Sequence, residues 1–211
     1  ELIKRSISSL FLMGLIFVTA LINDYIFLSI LFIVVIFSWI EWIKIIEKIK
    51  FKKVYRIIHI ILFLIYLLIA FIVCFNVFLI DKYFFLTILM ICIFSDVGGY
   101  VFGKTFGGKK LTKISPNKTI SGTIGSFLFS LLPLIFISQN FIKIEFVTII
   151  WILIISLTCQ LGDLFISYLK RLAKVKDTGS FLPGHGGILD RIDGIVFGVP
   201  ASFLFWVMIV N

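Results

Sequence analysis

Charge is scarce in this sequence. Only 15% of its 211 residues are Asp, Glu, Lys or Arg, whereas 61% are hydrophobic. A soluble domain of this length has too little interior to hide that much apolar surface, so a soluble globular protein is excluded. Acids are the scarcer sign, with 11 Asp and Glu against 20 Lys and Arg. Cysteine is rare as well. Cys74, Cys92 and Cys159 each lie in an apolar run without C-x-x-C spacing, and are read as small core residues rather than as a metal knuckle or a disulfide framework. Strand-like alternation, internal repeats and low-complexity linkers are also missing, which removes barrels, solenoids and multidomain arrays from consideration.

What the sequence does have is long apolar runs, with a mean hydropathy of +1.18. A spanning helix needs about 20 mostly apolar residues. Seven segments qualify, at 6–22, 25–43, 56–80, 83–102, 120–138, 145–169 and 188–210. The first follows Lys4 and Arg5 like a signal peptide, but no small-x-small cleavage site precedes Asn23-Asp24, so it is expected to be a permanent helix. The expected fold is an all-α polytopic transmembrane bundle of about seven spans, one integral-membrane domain over 1–211. With a cytoplasmic N-terminus, 18 of the 20 lysines and arginines fall in cytoplasmic segments, and only Lys82 and Lys143 fall outside. A span count wrong by one would move every later loop to the other side, so this split supports the orientation. The net charge of +9 is therefore read as loop topology and contact with anionic lipid heads, not as a nucleic-acid surface. His59, just inside the third segment, is read as interfacial.

Polar residues inside the apolar segments are the next signal. Asp96 sits late in the fourth segment, beside Ser95. An aspartate at that depth costs about 2.5–3.5 kcal/mol, so it needs a cation, a partner or water. One reading pairs it with Lys104; the other puts it in an active site. Gly98 to Thr105 (GGYVFGKT) fits the nucleotide-binding P-loop pattern, but that motif requires a buried strand before the loop and a helix after it. Here an apolar helix precedes it, so a P-loop is rejected. The basic loop from Lys104 to Gly122 contains Ser115, Pro116, Lys118 and Thr119. Pro116 ends any helix upstream, and Thr119 or Asn117 is positioned to cap the helix starting near Ile120. Lys118 and Thr119 then stand at a helix N-terminus, where backbone donors and the dipole favour anions. In the sixth segment Ser156, Gln160, Asp163, Ser167 and Lys170 are spaced for one face of a helix, a polar stripe leading to a basic cluster. Such a stripe can glue helices together; an ionisable Asp163 within it is read as functional.

The stripe opens into a polar island, Ser167–Asp193. It holds Lys170, Arg171, Lys174, Lys176 and Arg191, the acids Asp177, Asp190 and Asp193, and His185 in the turn PGHGG. Asp190 and Asp193, three apart, are expected on one face of the last helix. With Asp163 they offer an all-oxygen set suited to Mg²⁺, and Asp96 is a candidate fourth ligand. Salt bridges among Asp190, Asp193, Arg191 and Lys176 are the alternative.

These residues resemble a known family. Ser167-x-Leu169-Lys170-Arg171, Lys176-Asp177-x-Gly179 and Leu182-Pro183-x-His185-Gly186-Gly187-Ile188-x-Asp190-Arg191-Ile192-Asp193 are similar to the C-terminal pattern of phosphatidate cytidylyltransferases (CDP-diacylglycerol synthases). Ser95-Asp96 with Gly99-Tyr100, Ser115-Pro116-x-Lys118-Thr119, Arg5 and Glu41-Trp42 agree with it. Ser121 departs from it, standing where an acidic residue is usual. The chain is short for the family, with a variable N-terminal part at 1–80 and a catalytic core at 83–211. The resemblance implies transfer of CMP from CTP to phosphatidic acid at the cytoplasmic face of a bacterial inner membrane, by a Mg²⁺-dependent homodimer. It leaves room for a second, monovalent cation. It implies catalytic roles for Asp163, Lys170, Arg171, Lys176, Asp177, His185, Asp190, Arg191 and Asp193, substrate contacts for Ser95, Asp96, Ser115, Lys118, Thr119 and Ser167, and metal binding by Asp163, Asp190 and Asp193. Two other classes can be set against the residues. A transporter relay would spread ionisable groups across the membrane's depth, but here they crowd one end. A CTP-using enzyme with another lipid acceptor would not be expected to match the PGHGG-x-x-DR-x-D run.

Overall fold

The structure, a computed structural model, describes residues 14, 16–112, 115, 118–137, 146–181 and 186–210. After a helical stretch at 16–22 come α1 (Asp24–Lys48), α2 (Lys53–Ile80), α3 (Lys82–Thr105), α4 (Ile120–Ser130), α5 (Pro133–Ile137), α6 (Phe146–Leu172), α7 (Leu189–Ile192) and α8 (Ile195–Val210). Among the described residues the architecture is all-helical. Four helices, α1, α2, α3 and α6, are long and apolar enough to cross a membrane. The chain divides into two compact units, Glu1–Phe75 with Leu169–Ile192, and Asn76–Tyr168 with Asp193–Asn211.

In the first unit, Asn23 caps α1, its side-chain oxygen accepting from Tyr25 N (2.9 Å) and Ile26 N (3.1 Å). The helix runs past the expected end at residue 43 because Trp42, Ile45 and Ile46 are buried. The Trp42 indole stacks on Phe63 (3.7 Å) and donates to the His59 carbonyl (3.2 Å), tying α1 to α2. The His59 ring stacks on Phe51, with centroids 4.9 Å apart. Much of α2 is open and apolar, with Ile61, Ile65, Leu68 and Ile72 each about half exposed. A helix that is apolar on faces the protein leaves open is a lipid-facing span. At the other end of this unit α6 stops in a Schellman motif. Val175 N donates to Lys170 O, Lys174 N donates to Arg171 O, and Lys174 takes the left-handed conformation (φ 55°).

The second unit is built on a close pairing of α3 with α4. Gly98, Gly99 and Gly103 of α3 meet Gly122, Gly125 and Ser126 of α4. A Cβ at Gly99 would lie 2.6 Å from Ser126 Oγ, and one at Gly122 would lie 2.8 Å from Gly99 O. Small residues at this spacing let two backbones touch, the usual way membrane helices pack without a hydrophobic driving force. The glycines of the P-loop look-alike therefore serve helix packing, inside a helix that is continuous to Thr105. Ser95 Oγ and Ser156 Oγ meet at 2.8 Å, and the Trp151 indole donates to Ser202 O (3.0 Å), linking α6 to α3 and α8.

Two expected spans are interrupted. The segment at 120–138 breaks at Leu131–Leu132, because Pro133 has no N–H to donate and disfavours helical backbone in the residue before it. The segment at 188–210 breaks at Asp193–Gly194, where Gly194 O accepts from Phe197 N and Gly198 N and so starts α8. Asp190 and Asp193 thus do not share one helix face, as their spacing suggested. Asp190 lies on α7 in the first unit, and Asp193 lies in the turn before α8 in the second. The expected span at 6–22 is described only at 14 and 16–22.

Candidate active site

In the second unit a cavity of about 310 Å³ opens between α3, α4 and α6. Asp96 and Tyr100 come from α3, Thr123 and Ser126 from α4, and Gln160 and Asp163 from α6. The loop before α4 closes one side with Ser115, Lys118 and Thr119. That loop folds back on itself. Leu111 N donates to Lys118 O (2.8 Å), Ile120 N to Lys109 O (3.0 Å), and Lys110 bridges Thr119 in antiparallel fashion. Thr119 caps α4, accepting from Gly122 N (3.1 Å), as expected from the sequence. Ser121, standing where the resembling family carries an acid, serves the loop locally. Its hydroxyl donates to Gly107 O and meets Thr119 Oγ1 at 2.9 Å. Gly107 and Gly108 have positive φ (57° and 103°), so the turn they make needs glycine.

The cavity's electrostatics centre on Asp163, whose Oδ2 forms an ion pair with Lys118 Nζ. Both side chains remain about a quarter to a third exposed to the cavity (25% and 30%). Ser167 Oγ donates to Asp163 Oδ1 (3.3 Å), and Gln160 Nε2 donates to Ser156 Oγ (3.3 Å), so the stripe on α6 carries two hydrogen-bonded pairs along one face. Asp96 is exposed, while Lys104, its alternative partner by sequence, reaches over the Tyr100 ring (5.6 Å). Ser95, expected to touch substrate, is fully buried and held by Ser156. Its place is between α3 and α6, not in the cavity lining. Gly162 lets the Asp193 turn pack against α6, since a Cβ there would lie 2.7 Å from Asp193 O. Asp193 is itself buried, and its Oδ1 accepts from Gly194 N (2.9 Å).

The first unit holds a second polar cluster, built from the island after α6. Asp190 Oδ1 accepts from Lys170 Nζ (2.6 Å). Its Oδ2 accepts from Thr178 N (2.7 Å), Thr178 Oγ1 (3.0 Å) and Gly187 N (3.1 Å). Three N–H groups donate to this carboxylate, and the Thr178 hydroxyl, which has a single proton, is shared between it and Glu41. Arg171 and Lys176 are exposed and Asp177 is half-buried beside Gly186. His185 lies outside the described residues. Sequence reasoning assigned no role to Glu41 or Thr178, yet Glu41 is buried in this cluster. Its Oε2 accepts from Thr178 Oγ1 (2.8 Å) and Leu189 N (2.9 Å), and its Oε1 accepts from Ile188 N (2.9 Å). The sequence carried two signals, an acid inside an apolar segment and the agreement of the Glu41-Trp42 pair with the resembling family.

For a divalent cation the cavity's donor chemistry fits. Asp96, Asp163, Gln160, Ser126 and Thr123 supply hard oxygens, and among the described residues no thiol or imidazole lines it. Among the described residues no three His, Cys, Asp or Glu side chains already converge as a ligand set. Mg²⁺ keeps several waters and uses only one or two carboxylates, so two are enough.

The sequence matches the model of the cytidylyltransferase family over residues 51–209. It is 42% identical to a phosphatidate cytidylyltransferase of Rickettsia bellii (strain RML369-C), over 51% of this chain and 51% of that one. It is 41% identical to a phosphatidate cytidylyltransferase of Bacillus subtilis (strain 168), over 64% of this chain and 53% of the relative. A third, from Staphylococcus saprophyticus, is 45% identical over 50% of this chain and 42% of its own length. The chain spans about half the length of the curated relatives it matches.

Proposed function

The chain belongs to the cytidylyltransferase family, and from that premise we propose that it transfers CMP from CTP to phosphatidic acid, releasing pyrophosphate. The observation that carries this reading is the cavity in which Lys118, at the N-terminus of α4, faces Asp163 and Asp96 between apolar helices. A cation at a helix N-terminus suits phosphate oxygens, and an apolar surround suits a substrate whose tails stay in the bilayer. An oxygen of the lipid phosphate attacks the α-phosphorus of CTP. That P–O bond forms as the bond to the β-phosphate bridging oxygen breaks, and pyrophosphate leaves with the electron pair. Such transfers depend on positioning and charge neutralisation more than on covalent help.

Lys118 and the first amides of α4 would hold anionic oxygens of the substrates. Asp163, held by Ser167, would orient Lys118 and with Asp96 would hold Mg²⁺; Asp193 lies in the same unit, whereas Asp190, also expected as a ligand, belongs to the other, where its carboxylate accepts from Lys170, Thr178 and Gly187. When bound, Mg²⁺ supplies charge neutralisation on the phosphates. Lys170, Arg171, Lys176 and His185 would add phosphate contacts from the polar island. The membrane topology we propose has seven crossings, a cytoplasmic N-terminus and a site facing the cytoplasm of a bacterial inner membrane, where CTP is found, and a homodimeric assembly. The distribution of lysines and arginines supports that orientation.

Purified protein given labelled CTP and phosphatidic acid in detergent micelles is expected to form labelled CDP-diacylglycerol only while Mg²⁺ is present. Chelation is expected to stop the reaction and added Mg²⁺ to restore it. Label passing to the lipid from the γ-phosphate alone would instead mark a lipid kinase. Lys118→Met keeps the length of the side chain but removes its charge, and is expected to lower kcat/KM for CTP by about 10²-fold. A loss below about threefold in the same assay would remove Lys118 from the phosphate site.

A further inference from the structure

Glu41 itself has no part in the chemistry proposed above, and the construction of the cluster around it shows what it does. Glu41 sits in the last third of α1, inside an apolar helix, and is 3% exposed. Burying a carboxylate there is costly unless its lone pairs are satisfied. Three donors satisfy it, Thr178 Oγ1, Ile188 N and Leu189 N, and all come from the island 137 to 148 residues away in sequence. The island is also shaped to receive it. A Cβ on Gly179 would lie 2.6 Å from Glu41 Oε1, and one on Gly187 would lie 2.7 Å from Glu41 Cδ, so both positions need glycine for the backbone to reach the carboxylate. The same Thr178 hydroxyl lies 3.0 Å from Asp190 Oδ2, and Asp190 also takes Gly187 N and Lys170 Nζ. Two carboxylates, from α1 and α7, therefore hold both ends of the segment 178–189, with Thr178 between them.

We propose that Glu41 is a positioning residue. By accepting from Thr178, Ile188 and Leu189 it fixes the island segment, and through Thr178 and Gly187 it fixes the carboxylate of Asp190 and so the Lys170 ammonium. It touches no substrate itself. The variable N-terminal part of the chain thereby contributes to the catalytic cluster, which separates Glu41 from an ordinary helix-packing residue. The consequence for turnover rests on the cytidylyltransferase reading; the anchoring does not.

The test uses the full chain in detergent with Glu41→Gln and Glu41→Ala. Gln keeps the shape but offers one oxygen where the segment needs two, and turns an NH₂ toward N–H donors. Hydrogen–deuterium exchange at 186–189 is expected to rise roughly tenfold or more in both variants, while exchange along α2 stays at the parent rate. In the CMP-transfer assay kcat is expected to fall about 10- to 100-fold, with KM for CTP changing less than about threefold, because a misplaced group costs rate more than binding. Unchanged exchange at 186–189 overturns the proposal, and so does faster exchange with unchanged kcat. If the parent chain transfers no CMP but the variants still exchange faster, the anchoring stands and the cytidylyltransferase reading fails. Should neither Glu41 variant fold, Thr178→Val removes one donor and leaves the carboxylate. It is expected to raise exchange at Ile188 and Leu189 about threefold, and no rise overturns the proposal.

Discussion

Asp163→Asn is expected to lower CMP transfer by about 10³-fold while leaving the folded helices intact. The carboxylate does two things that an amide cannot. It neutralises and orients Lys118 across the cavity, and it offers an anionic oxygen to Mg²⁺. Asparagine keeps the shape and can still accept from Ser167, so packing should survive. The ion pair is partly open to the cavity, and such pairs contribute only about 0–1 kcal/mol to stability. A detergent melt of the variant should therefore stay within a few degrees of the parent, while labelled CMP transfer collapses. Retention of more than a tenth of the parental rate would show that Asp163 is structural and would move the metal site elsewhere. Asp96→Asn offers an internal comparison. Asp96 shares the cavity, but the Lys118 ammonium pairs with Asp163, so its loss should be the smaller.

Gly125→Leu should be the most damaging single change to the second unit. A Cβ at Gly125 would meet the Phe102 side chain and lie 2.6 Å from Gly98 O, backbone that cannot move without separating α3 from α4. Overpacking a tight contact costs about 1–3 kcal/mol, and a full Leu against backbone belongs at the upper end or beyond. The cavity should be lost with the seam, because Gly99, Gly122 and Ser126 both pack the helices and line it. The measurement is the yield of monodisperse protein in mild detergent together with its melting midpoint. A counterpart is Gly14→Leu, where a Cβ would meet nothing within 4 Å among the described residues, and that variant should behave like the parent. Equal melts for the two would mean that the α3–α4 contact is looser than described.

Much of the site is legible in the sequence, and the legible parts share a cause. The stripe on α6 can be read because helical spacing alone puts Ser156, Gln160, Asp163 and Ser167 on one face, and the hydrogen bonds along it are between residues four apart. Thr119 can be read as a cap because capping is settled within three residues. The P-loop pattern can be dismissed because an apolar helix cannot also be the strand that motif needs. What fails is local inference carried one step too far. Asp190 and Asp193 would share a face if the helix were continuous, but Gly194 ends the continuity. Ser95 looks like a ligand because it stands next to Asp96, yet on a helix adjacent residues point in different directions.

By itself the sequence determined a membrane-embedded helical chain, a carboxylate and a lysine poised at a helix N-terminus, and a family signature in its last third. These follow from apolar length, from a 3.6-residue period and from short motifs, all properties of neighbours in the chain. Only the tertiary structure decided that Lys118 meets Asp163, that the glycines of α3 form a packing seam with α4, and that Glu41 holds a segment 137 to 148 residues later. No local pattern encodes such pairings. They exist because a buried charge or amide must find a partner, and the fold brings that partner from far along the chain.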